Sequence, residues 1–407
     1  MKSKLLVGLI LFVFFVISFL TNIIGPLVPD IINAFNLSLS MAAFLPFSFF
    51  LAYGVMSIPS GFLVEYIGEK KVMILAFFLS AFGALSFSIN PNYLLYILSL
   101  FLIGSGMAML QVSINPLLRH IGGKKEFAFN SVLGQLFFGL ASFISPLIYS
   151  FLIISLSAGS ESSNYIILFF KKFTSPYLRW VSLYWIFALV SFLMCIILVF
   201  TNFPEKKNPV KENKEKLNTY MMIIKNPIVI LYFFGIFSYV GLEQGVANWI
   251  SKFLEIYHST DPQILGAKII SYFWGLMTLG TISGLFLLKL IDSRKILIFF
   301  TSASIISFLT AVFGPLKVSL ISFPLIGFFI STMWSIIISL ALNSTSKHHG
   351  AFSGILVTGI IGGAVFPLMI GILGDFAGLK LSMTILLLPL LFILTIGFWS
   401  NPLINNK

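Results

Sequence analysis

Two pairs of carboxamides sit four residues apart inside strongly apolar stretches. "MLQVSINPLL" carries Gln111 and Asn115, and "YVGLEQGVANW" carries Gln244 and Asn248. A four-residue spacing puts both members of a pair on one helix face. A carboxamide offers donors and an acceptor together, so such a face can bind a hydroxyl-rich solute or join two helices. Binding is the favoured reading for Gln111 and Gln244. Asn115 precedes Pro116 and can instead serve carbonyls that the proline frees. Further on, Asn130 and Gln135 are too poorly spaced to face one point, and Gln135 lies deeper in its apolar run. Trp274 and Trp334, also well inside apolar runs, can stack on the apolar face of a sugar ring or pack between helices. Trp249 lies nearer a run end and is the weaker candidate.

Glu243 is the one acid placed clearly inside an apolar run. A carboxylate there is costly unless it is protonated or paired, which makes Glu243 the candidate for proton coupling. The structural alternative is a hydrogen bond to Thr21 and Asn22, which fall near the corresponding place in the first half. Asp30, near the outer end of the first run, reads as a cap or gate residue. The four histidines, His120, His258, His348 and His349, fall near loops without metal-ligand spacing. No metal site or cofactor is expected. Nothing suggests an enzyme, and no Walker-type phosphate loop is present.

The elements that carry these residues are long and apolar. The 407 residues are 58% hydrophobic and 9% charged, with a mean hydropathy of +1.03. Soluble domains are nearer a quarter charged. The runs are continuous and too long for the alternating strands of a membrane barrel. Twelve helical spans are expected, at 5–28, 39–64, 71–90, 93–117, 127–156, 178–201, 226–254, 264–290, 295–314, 317–343, 349–374 and 380–401. The first, near-basic run reads as a retained helix, not a cleaved leader. The connector "PEKKNPVKENKEKLN" divides the chain into a half at 1–203, a solvated linker at 204–225 and a half at 226–407.

The net charge is +12. In a soluble chain this would raise the question of nucleic acid, but here it describes topology. Of 25 basic residues, 18 fall on one side if both termini are cytoplasmic. The partners expected are therefore the lipid bilayer and a small solute, with no nucleic acid. The "YIILFF" run in the long fifth-to-sixth loop is too short to span and is expected at the interface. Cys195, the one cysteine, cannot form an internal disulfide.

The halves repeat in one register, which pairs Gly61 with Gly284, Lys71 with Arg294, Gly104 with Gly327, Gln111 with Trp334 and Gly139 with Gly362. Two six-helix halves related by a pseudo-two-fold axis place a site between them near the bilayer midplane. "GFLVEYIGEKK", with Gly61, Glu65, Gly68, Lys70 and Lys71, resembles the loop signature of the major facilitator superfamily, with Glu65 in place of its usual Asp. The resemblance implies a charge cluster that breaks as the halves rock.

Within that superfamily the chain is similar to the fucose–galactose–glucose:proton symporters, above all the glucose/galactose branch. The likeness rests on "LQVSINPLL", "YVGLEQGVANW", "SYFWGLMTLGTISG" and "SGILVTGIIGGAVFPLMIGILGDFAG". It implies an all-α membrane protein of twelve transmembrane helices with the major facilitator fold. It also implies Asp375 near the cytoplasmic end of the eleventh helix, as a gating residue beside Glu65.

The departures lie in the chemistry. The family's first-helix Asn-Asp pair falls on Ile24 and Gly25, and its fourth-helix Glu on Gln111. The fifth-helix Asn falls near Leu136, the eighth-helix Gly-Arg on Gly280-Thr281, and the tenth-helix Pro-Thr on Ser335-Ile336. The function implied is import of a hexose-type sugar by alternating access in the inner (cytoplasmic) membrane. The coupling ion expected is a proton, with sodium or plain facilitated diffusion as the other cases, and the chain is expected to act as a monomer. The alternatives are an exporter of drugs or another small solute, and a non-transporting membrane sensor.

Overall fold

The computed structural model describes residues 2–122, 127–157, 165–203, 222–344 and 349–400. Every described element is a helix. Among the described residues, twelve helices are long and apolar enough to cross a bilayer. Spans 1 to 6 are Lys4–Phe35, Leu39–Ile67, Glu69–Ile89, Tyr93–Gly122, Asn130–Ser157 and Arg179–Phe200. Spans 7 to 12 are Pro227–Ala247, Pro262–Leu290, Ser293–Phe313, Leu316–Asn343, Gly354–Ala377 and Leu379–Trp399. Of the expected linker, residues 204–221 lie outside the described residues.

Successive spans alternate in direction. One face of the bundle, the terminal face, therefore carries the start of span 1, the span 2–3 turn, the end of span 6 and the span 8–9 turn. The distal face lies opposite. At the distal face the helix Tyr165–Phe173 is nine residues long, too short to span. It exposes Leu168, Phe169 and Phe173 beside Lys171 and Lys172.

Among the described residues, spans 11 and 12 carry short 3-10 stretches at Gly359–Ile361 and Thr384–Leu386, and spans 1, 7 and 10 are interrupted by turns with local causes. In span 1 the helix Lys2–Thr21 stops and a second, Ile24–Phe35, begins. Pro26 has no N–H with which to bond the Asn22 carbonyl, so the ladder fails there. The break stretches span 1 to Phe35, beyond the end expected from hydropathy. In span 7 the helix Pro227–Ala247 ends at Asn248, and Ile250–His258 follows. The Asn248 side chain donates to the Gln244 carbonyl at 2.8 Å and so competes with the backbone for it. In span 10 the break falls at Ser331–Thr332, where the Ser331 hydroxyl donates to the Phe328 carbonyl at 2.7 Å.

The halves meet where span 2 packs on span 11, span 5 on span 8, and the distal part of span 1 on Ile250–His258. Small residues let backbones touch on the distal side. A Cβ on Gly25 would lie 2.4 Å from the Ala247 carbonyl oxygen, and one on Gly371 would lie 2.4 Å from the Ala43 Cβ. The terminal side differs. Gly61, expected to serve close helix approach, has nothing within 4 Å of such a Cβ, while its repeat partner Gly284 would meet the Thr332 methyl at 1.9 Å. The halves are thus pressed together distally and parted at the terminal face.

This contact predicts that Gly25→Ala destabilises the closed distal side by about 1–3 kcal/mol, the usual range for overpacking. Its apparent melting midpoint in detergent falls by several degrees. Gly8→Ala, at a site with open space around it, leaves the midpoint unchanged.

Candidate functional site

The parted halves enclose a cavity of about 680 Å³, within the range of roughly 300–1,000 Å³ usual for small-molecule sites. It runs from Asn22, Ser142 and Gln244 at its closed end to Glu65 and Gly354 near the terminal face. Gln111, Asn115, Gln135, Glu243, Gln244, Trp274 and Trp334 all line it.

The first half supplies amides. Gln111 and Asn115 project from one face of span 4, and Gln135 projects from span 5. None of the three side chains hydrogen-bonds a described residue. Asn115 is turned to the cavity rather than to a carbonyl freed by Pro116, and Ser113 between them bonds the Met109 carbonyl at 2.7 Å. Asn130, set aside in favour of Gln135, is buried away from the cavity lining.

The second half supplies aromatic rings and the acid. Trp274 of span 8 and Trp334 of span 10 face the cavity, and Trp334 lies 5.9 Å from the Tyr239 ring between centroids. Trp249 is buried and donates to the Pro367 carbonyl at 3.3 Å, so its role is packing within the half. Glu243 accepts from the Tyr239 hydroxyl at 2.6 Å and from the Gln244 amide at 3.0 Å. Both partners belong to its own helix. The expected alternative bonds to Thr21 and Asn22 are not made: Thr21 donates to the Ile17 carbonyl, and Asn22 to Ser142 at 2.8 Å and Ser18 at 3.3 Å.

Two expectations need correction. Gln244 and Asn248 do not form a free binding face like Gln111 and Asn115. Asn248 is 3% exposed and absent from the cavity lining. Its amide donates to the Gln244 carbonyl at 2.8 Å and to Gln244 Oε1 at 3.3 Å. Gln244 lines the cavity, but its nitrogen is held by Glu243 and its oxygen by Asn248. The break in span 7 turns Asn248 back onto the helix end.

The second correction concerns Asp375. Span 11 runs in the same direction as span 1, so its C-terminal end lies at the distal face, opposite Glu65. There the Asp375 carboxylate accepts from the Leu39 amide at 2.8 Å and the Ser40 amide at 3.0 Å, capping span 2 of the other half. Asp30 makes the reciprocal link. It accepts from Tyr149 within its own half and, at 2.8 Å, from the Gln263 amide across the interface. Each half thus offers one carboxylate to donors of the other on the distal side.

At the terminal face, Gly68 joins spans 2 and 3 with φ +87°, a backbone shape that favours glycine. Lys70 donates to the Val199 carbonyl at 3.0 Å, and Arg294 donates to the Ser400 carbonyl at 3.4 Å. In each half, then, a base of the turn after the second span holds the end of the last span. Asp292, in the second of these turns, is pushed up by burial, but hydrogen bonds from the Arg294 side chain and amide outweigh this and hold it below the usual carboxylate range.

Tyr239, Tyr53, Ser142 and Thr278 also line the cavity. Tyr239 was within reach of sequence reasoning, since it stands four residues before Glu243. A lone serine such as Ser142 gives no such signal. No cluster of His, Cys, Asp or Glu among the described residues has the form of a metal site.

Comparison with known proteins agrees with this architecture. The family model of the Major Facilitator Superfamily matches residues 10–360. The chain is 30% identical over 405 residues to a glucose/galactose transporter of Brucella abortus, covering 97% of this chain and 92% of that one. It is 24% identical to the L-fucose-proton symporter of Escherichia coli, over 90% of this chain and 86% of that one. The crystal structure of the E. coli fucose:proton symporter in the outward conformation aligns with a TM-score of 0.70 at 21% identity, covering 98% of this chain and all of that one. With twelve spans in two repeated halves around a central cavity, and a family match over most of its length, the chain belongs to the major facilitator superfamily.

Proposed function

We propose that this transporter imports a hexose-type sugar by alternating access, coupled to a cation, and that the cation is a proton. The observation that carries the reading is the pairing of free amides with aromatic rings in one cavity. Unpartnered amides of Gln111, Asn115 and Gln135 stand on the first half and Trp274 and Trp334 on the second, while Phe14, Phe50, Tyr53, Phe62 and Phe138 add rings from the first half. A pyranose has hydroxyl edges and an apolar face, and this lining offers hydrogen-bonding groups to the one and rings to the other. The substrates named for the relatives support the same class of solute.

Glu243 is the coupling residue in this reading. The other carboxylate in the cavity lining is Glu65, at the open end. No cofactor enters the cycle. The bias of 18 bases to one side supports a cytoplasmic terminal face, and bacterial transporter relatives support the inner membrane; in this reading the conformation described is open inward. Gly61, Glu65, Gly68, Lys70 and Lys71 form the inner gate region, and Asp375 with Asp30 the outer one. A complete cavity within one chain supports a working monomer.

Replacing Gln111 by Ala removes one hydrogen-bonding partner, for which the net effect is about 0.5–1.5 kcal/mol. The half-saturation concentration for D-glucose or D-galactose in proteoliposomes is expected to rise several-fold, up to about tenfold. The amount of inserted protein stays unchanged. Unaltered kinetics would leave Gln111 a packing residue.

Glu243→Gln is expected to abolish the acceleration of sugar uptake by an inward proton gradient while sugar counterflow persists. The measurement is uptake at two external pH values, with sodium present or absent. Gradient-driven uptake that survives in the variant would remove Glu243 from the coupling step.

A further inference from the structure

Glu243 lies close to the place where the two halves are sealed distally, and two side-chain hydrogen bonds followed by a backbone packing contact join them. Its Oε1 accepts from Gln244 Nε2 at 3.0 Å, and Gln244 Oε1 accepts from Asn248 Nδ2 at 3.3 Å. Asn248 Nδ2 also holds the Gln244 carbonyl at the helix end, at 2.8 Å. The next contact crosses the halves. The Ala247 carbonyl and the Asn248 Cα are the backbone atoms pressed on Gly25, 2.4 Å and 3.2 Å from where a Cβ would stand. Asn248 is 3% exposed and lies off the cavity, so no solute contact accounts for its amide.

We propose that Gln244 and Asn248 are positioning residues that carry the protonation state of Glu243 to the seal between spans 1 and 7. The proposal rests on Glu243 as the coupling residue. The device is the polarity of a carboxamide, which has a donor end and an acceptor end. With Glu243 ionised, the Gln244 nitrogen donates to the carboxylate and its oxygen is left facing Asn248. Oε2 is occupied by the Tyr239 hydroxyl, so a proton delivered by a hydronium ion in the cavity, which leaves as water, sits on Oε1 and becomes a donor aimed at Gln244. The amide answers by turning its oxygen to Glu243, and its nitrogen then faces the Asn248 nitrogen. Two donors cannot bond each other, so Asn248 swings away and its side-chain bond to the Gln244 carbonyl is lost, leaving that carbonyl to the Asn248 backbone N–H alone at 3.0 Å. The Ala247–Asn248 backbone that lies on Gly25 is then held by one bond fewer, and the distal seal loosens. The covalent change is the transfer of one proton: an O–H of hydronium breaks and an O–H on Glu243 forms.

The groups around the carboxylate leave this path open. Span 1 presents Thr21 and Asn22, span 2 presents Tyr53, and span 10 presents Trp334 and Ser335 to the same cavity. All are uncharged near neutral pH. The cavity's other carboxylate, Glu65, lies toward the terminal face.

The test is a double-mutant cycle read at the seal and at fixed pH. A reporter, Leu39→Cys in a Cys195→Ser background, sits where span 2 meets Gly371 and Gly374 of span 11. Its labelling by an impermeant maleimide from the distal side measures how often the seal opens. Glu243→Gln, a mimic of the protonated acid, is expected to change the labelling rate at least threefold. In the Asn248→Ala background the same change is expected to have no further effect, while equilibrium binding of D-galactose stays within twofold. An equal response to Glu243→Gln in both backgrounds would overturn the relay, as would loss of D-galactose binding in a monodisperse Asn248→Ala protein. Asn248→Leu, which keeps bulk without an amide, must reproduce the Asn248→Ala result, and failure to do so would assign the effect to lost packing and also overturn it. If Glu243→Gln alone keeps gradient-driven uptake, the coupling assignment fails; if only the cycle is additive, the relay alone fails.

Discussion

A backbone carbonyl at membrane depth must find a partner inside the protein or in an aqueous cavity. That constraint governs where this molecule can be irregular. Its spans break at Asn22–Ile23, Asn248–Trp249 and Ser331–Thr332, and each break is lodged in protein contact beside the cavity. The Asn248 side chain adds a bond to the Gln244 carbonyl, the Ser331 hydroxyl adds one to the Phe328 carbonyl, and Gly25 lets the span 7 break rest on span 1. Of these, the breaks in spans 1 and 7 meet each other across the halves at Gly25, whereas the span 10 break packs on Gly280 and Gly284 of its own half.

The same constraint explains why the halves, though repeated in sequence, are unlike in chemistry. Their shared frame is visible at the terminal face, where Lys70 and Arg294 hold the last carbonyls of Val199 and Ser400. Inside the cavity the symmetry ends. Gln111 and Trp334 occupy one repeat position, an amide in the first half and a ring in the second.

Much of the frame was legible in the residues alone, because hydropathy and length decide what can cross a bilayer. The breaks were harder. Pro26 is visible in the sequence, but the ending of a helix at Asn248 depends on a side chain folding back on Gln244. The pairs Gln111/Asn115 and Gln244/Asn248 look alike as spacings. Only the carboxylate at position 243 separates them, by drawing the Gln244 nitrogen inward and leaving its oxygen for Asn248. Tyr239 could have been read from the same four-residue rule that singled out the amides. The side of Asp375 followed from counting span directions, whereas placement by family likeness put it at the wrong face. Asp30's partners, Tyr149 and Gln263, lie 119 and 233 residues away, and no local pattern announces them.

The resemblance to fucose symporters sets an acid at the position of Gly25, and the structure gives a reason for its absence. In this conformation any side chain at 25 would strike the Ala247 carbonyl. A chain that seals its distal side by backbone contact at that point has no room there for a titrating group. The carboxylate that remains, Glu243, stands on the other partner of the same contact, one helical turn before the Ala247 carbonyl. The acid and the seal are thus adjacent, with Gly25 on span 1 and Glu243 on span 7.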